Sequence, residues 1–426
     1  MLIYTTHITN RLIYIVQTVL GKDCEITSNT DDFITYPDFK INYSAGRITA
    51  NECFIHPHSL LFENCIKTQD IVCFEWNTLK VFFESEGDIP FDIFAASFFL
   101  ISRYEEYLPH QSDEYNRYDH QGCLAYTENF LHLPLVNLWW KEFEKLTGCQ
   151  LPERIFRFIP TYDVDIAYAY QYQPVWKNVL GFYRDLLRAD FDKVLERGKV
   201  YSGKYKDPFD VFDWLDALHD ECQLQPIYFL MAIIERGKYD KNLKLSSRGL
   251  QRLYKRLAAK YDIGIHPTWK SGDKGSESLL LKEIASLNGL LKRDISKSRQ
   301  HYLRFTLPST FRRLAEAGIS AEYSMGYGSI NGFRASYCVP FFWYDLEKEQ
   351  TTGLELHPFC YMDATAYFEQ KETPEQAAAE LQQYYNTVKM VKGEFICLFH
   401  NHFLTEQEIW VEWRNLYEKF LRLNAC

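Results

Sequence analysis

The run RIFRFIPTYDVD, Arg154–Asp165, begins as an apolar, β-prone stretch and stops on two carboxylates two residues apart. A strand has a side-chain period of two, so Asp163 and Asp165 point to one side and Val164 to the other. Two carboxylates held that close repel one another unless a cation or a shared proton relieves them. A polar strand end facing water has the same look, with one Asp capping the following turn. The rest of the chain has to separate the two readings.

From Leu151 onward, strand-like and helix-like segments alternate. PFDVFDWLDALHDEC precedes PIYFLM, SSRGLQRLYKRLAAKY precedes DIGIH, and ESLLLKEIASLNGLLKRD precedes RQHYLRF. STFRRLAEAG then precedes ISAEYSM, and a long helix separates TGLELHPF from EFICLFH. That helix has Thr373 and Gln376 at capping-box spacing, Pro374 at its first position and Gly393 to end it. About seven strands with intervening helices argue for an α/β protein with a parallel sheet. No glycine-rich phosphate loop follows the first strand, which favours a closed or nearly closed barrel over a doubly wound sheet. In such a barrel the strand C-termini converge on one mouth. Asp163, Asp165, His266, His301, His357 and His400 all fall at such ends.

The first 150 residues read differently. Short β-like runs (DFKINYSA, DIVCFEW, LKVFFES) lead into the apolar helix FDIFAASFFLISRYEEYL and the helix LPLVNLWWKEFEKLTG, with Gly148 and Pro152 as a stop. The expected organisation is a smaller α+β N-terminal domain, residues 1–150, followed by a barrel, residues 151–426. A chain of 426 residues suits two or three domains.

The formal net charge of −10, without a Lys/Arg-rich block, disfavours nucleic acid and anionic membranes as partners. The 11 cysteines lack CxxC spacing, which excludes a four-cysteine zinc site and gives no disulfide framework; buried thiols are expected. The N-terminal MLIYTTHITNRLIYIVQTVLG lacks a basic n-region and a cleavage site, and no stretch has the length and apolarity of a membrane span. A cytoplasmic protein is the expectation. Its 30 Tyr and 31 Phe suit both core filling and a sugar-binding cleft, and the oligomeric state is not readable.

TYDVD, DIGIHPTW, RQHYLRF and CLFHNH occur in the order of the motifs of the polysaccharide deacetylase superfamily (NodB homology, carbohydrate esterase 4). The chain resembles that family over residues 151–426. FDIFAASFFLISRYEEYL resembles the N-terminal domain of an uncharacterised bacterial subgroup, which extends the resemblance to the whole chain. The resemblance implies a distorted (β/α)7-type, NodB-like barrel. It also implies a hydrolase that removes N- or O-acyl groups from a carbohydrate with a divalent metal, zinc first, cobalt, nickel or iron being chemically permitted.

Carried over residue by residue, Asp163 matches the family's general base. Val164 stands where a metal-binding Asp is expected, and Asp165 takes that role instead. His266 matches the first metal histidine, while Lys270 occupies the position of the second. Arg299–Tyr302 resembles the Arg-x-Pro-Tyr motif with His301 in place of proline, and His301 is expected to supply the missing ligand. Arg299 and Tyr302 are then substrate or oxyanion groups. His400 matches the general acid, with His402 an alternative that strand alternation turns to the same side. Arg334, in NGFRASY, and His357, in LELHPF, are further substrate candidates. A non-catalytic sugar-binding or scaffold protein on a degenerate barrel is the alternative, supported by Val164 and Lys270. A phosphoesterase lacks the Arg/Lys cluster that phosphate needs.

Overall fold

The computed structural model describes residues 1–425. Its strands are β1 (Leu2–Thr5), β2 (Glu25–Thr27), β3 (Lys40–Tyr43), β4 (Cys53–Ile55), β5 (Phe74–Trp76), β6 (Leu79–Val81), β7 (Arg157–Val164), β8 (Ile227–Leu230), β9 (Asp262–Ile265), β10 (Lys297–Ser298), β11 (Ala321–Glu322), β12 (Phe341–Asp345), β13 (Gln350–Leu356), β14 (Tyr361–Met362) and β15 (Glu394–His400). Near the N-terminus, the order β2-β1-β3-β4 makes a four-stranded sheet whose pairs are all parallel. Helix Asn10–Leu20 lies between β1 and β2, and helix Thr30–Thr35 between β2 and β3. This region is therefore α/β in construction rather than α+β, because a helix between successive strands returns the chain in the same direction.

The larger sheet has nine strands in the order β12-β13-β11-β10-β9-β8-β7-β15-β14, and only the β12–β13 pairing is antiparallel. Alternation divides each strand between two cores. Ile227, Phe229, Ile396 and Leu398 meet Ala321 and Met362 in an interior cluster. Their neighbours Tyr228, Leu230, Cys397 and Phe399 join the outer core beneath the helices. Residues from β8, β11, β14 and β15 touch in one cluster only if the sheet curls upon itself.

Closure comes from a single length of chain. β13 pairs with β11, β14 pairs with β15, and only residues 357–360 separate β13 from β14. Counting that run once, the parallel staves are β7, β8, β9, β10, β11, β13–β14 and β15, a distorted seven-stave barrel. The outer layer is tied down by polar contacts as well. Tyr162 Oη lies 2.7 Å from His219 Nε2 and 2.5 Å from Tyr417 Oη, linking β7 to helices Phe212–Glu221 and Trp410–Ala425.

The expected long helix is present as Pro374–Met390, and the Thr373/Gln376 capping box forms with Pro374 in its first turn. The N-terminal region packs on the edge of the barrel. Arg11 grips Glu349 at 2.5 and 2.9 Å, Tyr14 Oη donates to the Phe342 carbonyl at 2.9 Å, and Trp343 Nε1 donates to Tyr107 Oη at 3.1 Å. Among the described residues nine cysteines are free thiols, seven of them buried. Among the described residues no helix is long and apolar enough to cross a membrane.

Candidate active site

The end of β7 delivers both carboxylates as the period of two requires. Val164 is fully buried in the outer core, whereas Asp163 and Asp165 turn into a cavity of about 480 Å³ inside the barrel mouth. His266, one residue past β9, donates Nδ1–H to the Arg299 carbonyl at 2.6 Å. A carbonyl can only accept, so that bond leaves Nε2 of the neutral ring as a lone pair. His266 Nε2 then faces Asp165 Oδ1 at 3.1 Å. Both are lone-pair atoms, and Oδ1 is buried without a hydrogen-bond partner.

His301 completes the group. It lies in the single 3₁₀ turn His301–Leu303 beyond β10, and its Nδ1 bonds Asp240 Oδ1 at 3.0 Å. Its Nε2 lies 3.6 Å from Asp165 Oδ2. Burial works against the imidazolium, but Asp165 and Asp240 outweigh it and push the pKa up to about 9. Burial likewise opposes the Asp165 carboxylate, but the charge on His301 holds it well below the usual carboxylate range. One ligand atom each from Asp165, His266 and His301 falls within 4.8 Å of the others. Two imidazole nitrogens and an orphaned carboxylate oxygen, each imidazole held by its far nitrogen, form a donor set that fits a divalent cation.

On the opposite side stands His400, the last residue of β15, with Nδ1 bonded to Asp363 Oδ1 at 2.7 Å. The backbone N–H of His400 donates to the other oxygen of Asp363, also at 2.7 Å. Burial opposes its charge, yet Asp363 dominates and raises the pKa to about 9. His400 Nε2 is 3.7 Å from Asp165 Oδ2. His402 lines the same cavity, but its buried Nδ1 has no partner, and burial with His400 nearby lowers its pKa to about 3. The two histidines left open by strand alternation thus differ by one carboxylate.

Lys270 has left the site; its Nζ pairs with Glu235 at 2.5 Å on the exposed side. Tyr302 sits at φ 59°, a left-handed conformation, and the Arg117 guanidinium bonds its carbonyl at 3.1 Å. Its ring joins Tyr115, Tyr239 and Trp269 in an aromatic wall, with centroid distances of 5.2, 5.0 and 5.5 Å from Tyr302.

Three expectations need correction. Arg299 is fully buried under the site rather than open to a substrate. It donates to Asp163 Oδ1 at 3.0 Å, to Thr161 Oγ1 at 2.9 Å and to the Tyr323 carbonyl at 3.0 Å. Arg334 is equally buried, chelating Glu106 at 2.8 and 2.7 Å, and it joins the N-terminal region to the barrel. Sequence separation hides such a pair.

His357 lies at the other end of the barrel, between Glu394 at 2.8 Å and Glu355 at 3.2 Å, among the strand starts Arg157, Asp262 and Lys297. The ladder Leu356–Glu322–Ser298–Ile265–Leu230–Val164 keeps β13 level with the mouth when followed one way round. Across the closure, the same β13 end meets the beginning of β15. Strand stagger in a closed barrel produces this offset, so a histidine at the end of a strand need not be at the mouth. Burial opposes protonation of His357, but Glu355 and Glu394 raise its pKa above 6.5. A histidine raised by folding stabilises fully below its unfolded pKa of about 6.5 and loses that contribution as pH climbs through the raised value. The melting-temperature advantage of wild type over His357→Gln is therefore expected to shrink above pH ~6.5. A pH-independent difference would rule this out.

Asp240, Asp363, Arg117 and Tyr115 carry no signal in the sequence. Asp240, Arg117 and Tyr115 lie in loops and Asp363 opens the helical turn after β14, and only folding brings them beside His301, His400 and Tyr302.

A family model described as "Family of unknown function (DUF7033)" matches residues 1–151. No curated protein matches the chain. Among solved structures, the chain is similar to a protein of Mycobacterium smegmatis assigned to the polysaccharide deacetylases, with TM-score 0.40 and 12% identity over 65% of this chain and 88% of that one. It is also similar to the polysaccharide deacetylase Bc1974 of Bacillus cereus, with TM-score 0.32 and 10% identity over 64% of this chain and 88% of that one. IcaB of Ammonifex degensii matches with TM-score 0.24 and 13% identity over 41% of this chain and 85% of that one.

Proposed function

We propose that the chain is a metal-dependent hydrolase that removes acyl groups from a carbohydrate. The observation that carries this reading is one cavity in which Asp165, His266 and His301 are flanked by Asp163 and by His400. Asp165, His266 and His301 would hold the cation, zinc being the first choice for an Asp/His₂ donor set, with cobalt, nickel or iron permitted. When bound, such an ion lowers the pKa of water and polarises an acyl carbonyl.

Asp163 acts as general base. Arg299 occupies its Oδ1 and so aims the other oxygen, which lies 3.7 Å from His266 Nε2, toward the reacting water. His400, oriented through Nδ1 by Asp363, keeps a proton on Nε2 for the departing amine or alcohol. The Tyr302 N–H, in the turn held by Arg117, is the oxyanion donor, and the walls of Tyr115, Tyr239 and Tyr302 offer ring faces to a sugar. Residues 1–150 form a separate domain that shapes this mouth through Tyr115 and Arg117, and residues 151–426 form the catalytic barrel.

Loading the purified protein with zinc and assaying acetate release from N- and O-acetylated sugars tests the reading. Release that disappears on chelation and returns with metal is the expected result. A protein that binds no divalent ion after loading would instead leave the sugar-binding scaffold.

A further inference from the structure

Two helices that the sequence pattern leaves unassigned, Val175–Leu187 and Phe191–Tyr201, form a hairpin between β7 and β8. The hairpin is built inside out. Of the four side chains that the two helices bury, Val200 is apolar and the other three are polar: Arg197 bonds Asn178 at 3.0 Å and Asp185 at 2.6 Å, and lies 4.5 Å above the Tyr170 ring. At Gly181 a Cβ would come within 2.7 Å of that guanidinium, so the close approach of the helices depends on the glycine.

Apolar side chains point outward instead. Residues 172–205 hold 13 of the 26 large hydrophobic side chains exposed on the described residues, with Leu187 at 88%, Val175 at 74%, and Trp176 and Phe191 at 61%. Half of the exposed apolar groups on one short hairpin is far from the scattered single exposures normal for a soluble surface, and marks an interaction face.

Charge selects the occupant. Residues 172–206 contain eight Lys/Arg and four Asp/Glu, a net of +4 in a chain whose total is −10, so the other residues sum to −14. A second copy docked through this face would bring two +4 segments together, whereas an anionic surface complements it. Trp and Tyr mixed with leucine, and Lys177, Arg188, Lys199 and Lys204 alongside them, form the composition of helices that lie in a lipid interface. Helices of 13 and 11 residues are too short to span a bilayer and long enough to rest on one.

We infer that the hairpin 172–206 is a peripheral docking face for an anionic lipid bilayer. It also sets the orientation of the barrel. A groove along the hairpin, lined by Trp176, Lys177 and Leu180, shares Lys241, His402 and Phe403 with the metal cavity. Docking brings the mouth to the membrane surface and favours acyl substrates presented there. The docking itself does not depend on the hydrolase reading, because vesicle binding is measured without turnover or metal.

The test is flotation of the full chain with phosphatidylglycerol/phosphatidylethanolamine vesicles, against vesicles of phosphatidylcholine alone. Wild type is expected to float with the anionic vesicles and to be released by high salt. Leu187→Ser with Phe191→Ser is expected to weaken partition by about tenfold or more, from the apolar area withdrawn from lipid. Lys177→Glu with Arg188→Glu is expected to abolish the preference for anionic lipid. The charge-reversed variant reads the same face without altering its apolar groups, so a misfolded serine variant still leaves an answer. Wild type that stays unbound with anionic vesicles overturns the inference. So does light scattering that finds a dimer split by the serine substitutions, which would make the face a contact between copies.

Discussion

His301→Ala and Asp165→Ala are each expected to yield a protein that holds no zinc after loading and desalting, where wild type holds one ion. The loss should exceed the roughly 10–100-fold that follows from removing a partner behind a ligand. Asp240→Ala tests that weaker class. Asp240 accepts from His301 Nδ1 and is itself fixed by the N–H groups of Trp269 at 2.8 Å and Gly237 at 2.6 Å. Its removal frees the ring to rotate and is expected to cost about 10–100-fold in affinity, measured by competition with a chromophoric chelator. Lys270→His in the His301→Ala background is expected to restore nothing, because position 270 lies on the exposed side beside Glu235. His301→Ala with wild-type zinc affinity would remove His301 from the proposed ligand set, and with it the idea that a turn beyond β10 supplies the histidine that Lys270 does not.

Asp163→Asn should separate binding from turnover. The amide keeps the shape of the side chain and leaves Asp165, His266 and His301 untouched, so zinc content is expected to match wild type. Acyl release is expected to fall by about 10²–10⁴, the range for losing a general base. Arg299 bonds Asp163 from below, and Arg299→Met is expected to slow turnover while also lowering stability. It strands a buried carboxylate, a loss of about 3–5 kcal/mol when one member of a buried pair is removed. Undiminished acyl release by Asp163→Asn would exclude this carboxylate as the base.

Much of the barrel was legible because its signals are local. Alternating strands and helices, the capping box at Thr373 and the shared side of Asp163 and Asp165 each depend on residues a few positions apart. The same locality explains where the reading went astray. Arg334, in NGFRASY, was a substrate candidate, yet it is held by Glu106, 228 residues away. His357 stood at a strand end like His400, but the stagger of the closed barrel carries it to the opposite rim beside Glu394. The outward apolar face of the hairpin 172–206 was equally invisible, since an amphipathic pattern says which residues share a face and not which face is covered.

By itself, the sequence determined the succession of strands and helices, that the two carboxylates of TYDVD share a side, and which strand ends bear histidine. Only the tertiary structure decided that Val164 faces the helices, that His301 stands beside Asp165 where Lys270 does not, and that Asp240 and Asp363 hold the imidazoles of His301 and His400. Side-chain direction along one strand follows from backbone geometry, which neighbouring residues set. Which loop residue meets which histidine follows from strand register and barrel closure, and these are set by packing across the whole chain.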